Sequence, residues 1–62
     1  MSDPIRVLVV DDDESIVDMI RMGLEAEGMK VTSASDGAEA LDALHANPTD
    51  VVLLDIMMPR VD

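Results

Sequence analysis

Val7-Leu8-Val9-Val10-Asp11-Asp12-Asp13 and Val51-Val52-Leu53-Leu54-Asp55 are the stretches that decide the architecture of this chain. Each is an uninterrupted apolar run that ends directly in carboxylates. Continuous Val/Leu runs suit strands covered on both faces, the usual condition of a parallel sheet flanked by helices. The two runs are therefore expected to be neighbours in one sheet, with their acids brought together at the carboxyl ends. Acids placed there serve chemistry rather than stability, and their convergence points to a bound cation.

Working outward, residues 5–10 form the first strand, and Asp11 to Asp13 turn the chain into a helix over 14–27. Acids in that first turn complement the helix dipole. Ile16, Val17, Ile20 and Leu24 recur at helical spacing on one face, Gly23 is expected to permit close approach there, and Gly28 is a natural left-handed C-terminal cap. Residues 29–34 alternate enough for a second, more exposed strand. Asp36-Gly37-Ala38-Glu39 reads as a capping box opening a second helix, for which Ala40, Leu41 and Leu44 supply the expected buried stripe. Asn47-Pro48 stops that helix, Asp50 leads into the third strand, and Met57-Met58-Pro59 begins a loop.

Strand, helix, strand, helix, strand implies parallel pairing with right-handed crossovers. Order 1-2-3 would put both helices on one face of the sheet. Order 2-1-3 puts one helix on each face and covers the most apolar strands, so it is the expected arrangement. It also creates a switch point between the first and third strands, where open parallel sheets bind ligands at the carboxyl ends. The acids of the opening stretches lie at that point. No internal repeat or linker divides the chain, which reads as one domain.

Sixty-two residues bury only about 60% of the surface that the unfolded chain exposes, so stability is expected to be marginal and partners or oligomerisation useful. The sequence has no cysteine and no Phe, Tyr or Trp, leaving a core of Val, Leu, Ile, Ala and Met without disulfides. No apolar stretch reaches the ~20 residues of a membrane span, and the first residues lack the profile of a signal peptide. The expected location is the cytoplasm. Fourteen acids against four basic residues give a formal charge of −10, which argues against direct binding of nucleic acid or anionic membranes. Most of these acids, including Asp18, Glu25, Glu27, Asp42 and Asp50, read as solubilising surface residues.

Asp11, Asp12 and Asp55 read differently. If they lie within ~5 Å of one another, each pair repels by about 3 kcal/mol at an effective dielectric near 20, a conflict that a divalent cation resolves. Oxygen ligands without His or Cys favour Mg²⁺, Mn²⁺ or Ca²⁺ over zinc, and few carboxylates with open positions favour Mg²⁺ carrying waters and a phosphate oxygen. That is a phosphoryl-transfer site in outline, in which a carboxylate can be the nucleophile.

These blocks, together with Ser35-Asp36-Gly37-Ala38-Glu39-Ala40-Leu41 and Asp55-Ile56-Met57-Met58-Pro59, resemble the receiver domain of two-component response regulators. The resemblance covers nearly the whole chain, with all three blocks correctly spaced. It implies a flavodoxin-like α/β fold of strand order 2-1-3-4-5, of which residues 1–62 are expected to be the N-terminal half, ending after the third strand. It implies that Asp55 accepts a phosphoryl group from a phosphohistidine on a sensor histidine kinase. Asp12, Asp55 and the backbone carbonyl of Met57 would ligate Mg²⁺, with Mn²⁺ as substitute, and Asp11 would act through water in the outer shell. Asp13 matches no ligand position and is left as a helix-start residue. The family's phosphate-binding Ser or Thr and its Lys belong to the half not covered. Such a module signals rather than catalyses, and any contact with DNA falls to an output domain outside this segment.

Two other readings compete. A half domain would leave the third strand as an apolar edge, expected to recruit a second copy in a homodimer or a larger assembly. A phosphatase with an aspartyl nucleophile shares the strand-end Asp and Mg²⁺, but such enzymes carry a second acid two residues later, where this chain has Met57. The Met57-Met58 pair reads as packing rather than as soft metal ligands. His45 reads as a dipole-complementing residue in the last turn of the second helix, without a site role.

Overall fold

The computed structural model describes residues 3–54. In chain order it contains β1 (Arg6–Val10), α1 (Glu14–Ala26), β2 (Lys30–Ala34), α2 (Gly37–Ala46) and β3 (Val51–Leu54). The strands form one parallel sheet of order β2-β1-β3. This is the 2-1-3 arrangement expected of a flavodoxin-like α/β fold, and it follows from burial. β1, the most apolar strand, takes the centre, where Leu8, Val9 and Val10 are almost wholly excluded from solvent. Burying side chains of this kind stabilises by about 1.5–3 kcal/mol each.

Alternation along β1 divides the core into two. Val7 and Val9 face α1 and pack with Val17, supported by Ile20, Leu24, Met29 and Val31. Leu8 and Val10 face α2 and pack with Ala34, supported by Ala40 and Ala43. One helix thus covers each face of the central strand.

The helix ends obey local rules. The Asp13 carboxylate accepts from the Ser15 N–H at 2.9 Å and caps α1. At the other end Gly28 adopts φ +89°, its N–H donates to Glu25 O at 3.0 Å, and the Met29 N–H donates to Leu24 O at 3.1 Å. This pair of bonds is a Schellman motif, with Leu24 and Met29 meeting on the same apolar cluster. Asp36 caps α2 by accepting from the Glu39 N–H at 2.8 Å. Glu39 completes the box one residue further back than expected, accepting from the Ser35 N–H at 2.9 Å.

Three expectations about packing are corrected. Leu41 and Leu44 do not form the buried stripe of α2, being 59% and 39% exposed. The small Ala40 and Ala43 face the sheet instead and let the helix lie close to it. Ile16 lies at the rim of the α1 face rather than in the core, at 37% exposure. Gly23 approaches nothing, since a Cβ built there meets no atom within 4 Å.

β3 is the least covered element. Its four residues are 40–59% exposed, and among the described residues neither helix packs on it. Its attachment is to β1, in the register Val7↔Val51 to Val10↔Leu54. At the amino end a second clamp was not visible in the sequence. The Asp50 N–H donates to Arg6 O at 2.8 Å, while the Asp50 carboxylate accepts from the Arg6 backbone N–H at 2.8 Å and from its guanidinium at 3.2 and 3.3 Å.

Candidate functional site

The carboxyl end of β1 carries the described part of the site. Asp11 continues the β1–β2 ladder by one residue, its N–H donating to Ala34 O at 3.0 Å. That bond draws the residue into the fold, and Asp11 is only 5% exposed. Its Oδ1 accepts from the Asp13 N–H at 2.9 Å, closing a turn that holds the carboxyl group in place. The other carboxylate oxygen receives no protein hydrogen bond among the described residues, and no basic side chain lies within ion-pair distance of it there. Burying a carboxylate with a single neutral donor is costly unless a cation or water completes its shell.

Asp12 follows on the exposed bend before α1, and Asp13 is committed to capping. The triplet is therefore split by geometry into an inward acid, an outward acid and a cap. Asp55 and Met57 lie outside the described residues. Among the described residues no group of three or more His, Asp or Glu side chains converges on one point. The carboxylates of Asp11 and Asp12 are of the hard-oxygen type that suits Mg²⁺.

Two pockets meet at Asp11. One, of about 390 Å³, lies on the α1 side between Ile16, Ile20, Leu53 and Leu54 and is mainly apolar. The other, of about 370 Å³, opens between the starts of the two helices and the end of β2, with Glu14, Asp18, Arg21, Ser33 and Glu39 around it. Arg21 crosses that space to donate from Nη2 to Ser33 Oγ at 3.0 Å, while its Nε is buried without a partner. The sequence held no signal for this tie, because residues 12 apart on a helix and a neighbouring strand meet only through the crossover.

An ion pair marks the opposite, amino end of the sheet. The Arg6 guanidinium and backbone N–H, bonded to Asp50, hold its carboxyl below the usual carboxylate range, and the Asp50 partner raises the Arg6 guanidinium in turn. The reading of Asp50 as a mere surface acid thus missed a structural role. No helix among the described residues is long and apolar enough to cross a membrane.

Comparison with known proteins agrees with this geometry. The model of the response regulator receiver domain family matches residues 7–62. The response regulator MprA of Mycobacterium sp. (strain KMS) is 49% identical over 59 residues, covering 95% of this chain and 26% of that protein. The alkaline phosphatase synthesis transcriptional regulatory protein PhoP of Bacillus subtilis (strain 168) is 46% identical over 57 residues, covering 92% of this chain and 24% of that protein. The MprA protein of Mycobacterium tuberculosis (strain ATCC 25177 / H37Ra) is 45% identical over 58 residues, covering 94% and 25%. The chain thus spans about a quarter of the length of these relatives.

Proposed function

Because the chain belongs to the response regulator receiver domain family, we propose that it is the phosphoacceptor half of a receiver, taking a phosphoryl group from a sensor histidine kinase onto Asp55. The observation that carries this reading is the register Val10↔Leu54 in parallel strands. Asp11 and Asp12 follow Val10 in the sequence and Asp55 follows Leu54, and the adjacency of Val10 and Leu54 supports this reading.

In this reading Asp12, Asp55 and the backbone carbonyl of Met57 would hold Mg²⁺ or Mn²⁺, with Asp11 acting through water. The bound cation supplies positive charge that offsets repulsion between an anionic acceptor and an anionic phosphate. An Asp55 carboxylate oxygen forms the new bond to phosphorus, the phosphorus–nitrogen bond of the phosphohistidine breaks, and the imidazole leaves with that electron pair. Asp11, held by the Asp13 N–H, keeps its free oxygen directed by a fixed turn. The role is that of a signalling acceptor rather than a turnover enzyme. Contact with DNA falls to an output domain elsewhere in the protein, and the setting is the cytoplasm.

Incubation with acetyl phosphate and Mg²⁺, followed by intact-mass measurement, tests the proposal. A one-phosphoryl mass increase that is labile at alkaline pH and absent from Asp55→Ala is expected. An adduct that persists in Asp55→Ala, or none in the full-length protein, overturns it.

A further inference from the structure

Arg21 is the one basic side chain around a pocket lined by Asp11, Glu14, Asp18 and Glu39, yet it takes a neutral partner. Its Nη2 donates to Ser33 Oγ at 3.0 Å, whereas among the described residues the only ion pair is Arg6–Asp50. Its Nε is buried with no acceptor. Arg21 stands four residues after the buried Val17, on the side of α1 that faces the sheet, where stability alone favours an apolar side chain. Orphaned buried donors cost free energy, and groups of this kind are retained where they serve a site.

We propose that Arg21 is a positioning residue for the acidic site, bracing the strand end that holds Asp11; the proposal rests on the reading of Asp11 as a metal-site acid. The contacts form a closed circuit around the pocket. The Asp13 N–H, at the cap of α1, donates to Asp11 Oδ1 at 2.9 Å. The Asp11 N–H donates to Ala34 O at 3.0 Å. Ala34 follows Ser33, whose hydroxyl accepts from Arg21, and Arg21 leads back to Asp13 along α1. Among the described residues this is the one hydrogen bond between α1 and β2, and β2 has a neighbouring strand on one side only. A carboxylate that is 5% exposed has little room to shift, so slack at the end of β2 passes through the Ala34 carbonyl to Asp11. Arginine suits the task, since its planar fork loses less freedom per hydrogen bond than lysine.

Amide hydrogen exchange in the metal-free full-length protein and titration with Mg²⁺ test the brace together. Ser33→Ala removes the acceptor and leaves every charge in place. It is expected to lower the exchange protection of the Asp11 amide while that of Leu8, inside β1, is kept. Mg²⁺ affinity should fall about 10-fold, the lower end of the loss usual for a partner outside the ligand shell. Ser33→Thr, which keeps a hydroxyl, should restore both readings. In an Arg21→Gln background Ser33→Ala should have no further effect, since the two residues act as one contact. The proposal is overturned by a Ser33→Ala protein with unchanged exchange at Asp11 or unchanged Mg²⁺ affinity, or by an effect that persists in full beside Arg21→Gln. Failure of the protein itself to bind Mg²⁺ counts against the phosphoacceptor reading instead, and exchange at Asp11 then decides the brace alone.

Discussion

Val10 and Leu54 lie side by side at the carboxyl ends of parallel strands, and each is followed in sequence by a carboxylate. This pairing brings two strand ends 44 positions apart in the chain to one end of the sheet. It gives the first prediction. Isothermal titration with Mg²⁺ is expected to show affinity reduced by about 10–100-fold in Asp11→Asn, the loss usual for an outer-shell partner. A larger loss is expected in Asp12→Asn, and none in Asp18→Asn. Equal affinity in the parent and Asp12→Asn would remove Asp12 from the ligand set.

Asp13 is predicted to act on stability and not on metal binding. Its carboxylate caps α1 through the Ser15 N–H, and the N–H that it donates to Asp11 belongs to the backbone. Asp13→Ala should cost about 1 kcal/mol in urea unfolding, most of it restored by Asp13→Ser, with the Mg²⁺ affinity of the folded chain retained.

Gly23 within α1 and Gly28 at its C-terminal end are predicted to respond with opposite signs. Gly28 sits at φ +89°, where an L side chain is strained, so Gly28→Ala should destabilise by about 1–2 kcal/mol. Gly23 lies inside α1 with open space around it, and Gly23→Ala should stabilise by about 0.5–1 kcal/mol. Thermal melts by circular dichroism measure both without aromatic reporters.

The Arg6–Asp50 clamp predicts a pH dependence. The folded Asp50 carboxyl titrates below its ordinary value of 3.8, because the Arg6 donors favour the charged form. A depressed acid contributes stability above its unfolded pKa and loses it as pH falls through the folded pKa. Asp50→Asn should therefore be less stable than the parent at pH 6, with the gap closing below pH 3.8 and shrinking in high salt, since the pair is solvent-accessible. A gap that widens on acidification would refute the assignment.

The sequence by itself determined the element order, the parallel sheet of order 2-1-3, and the caps at Gly28 and Asp36. Each follows from local chemistry: apolar periodicity, a short acceptor side chain before a helix, or a backbone angle open to glycine. It also located Asp11 at the end of β1, because an apolar run fixes where a strand stops. Only the tertiary structure decided how the three adjacent aspartates divide their tasks. One added ladder bond to Ala34 buries Asp11, while Asp12 remains on the bend and Asp13 turns to the helix. Tertiary packing likewise chose Ala40 and Ala43 over Leu41 and Leu44, since the distance between helix and sheet is not written in helical periodicity. The Arg6–Asp50 and Arg21–Ser33 contacts depend on which strands and helices the crossovers bring together, a long-range outcome that no local pattern encodes.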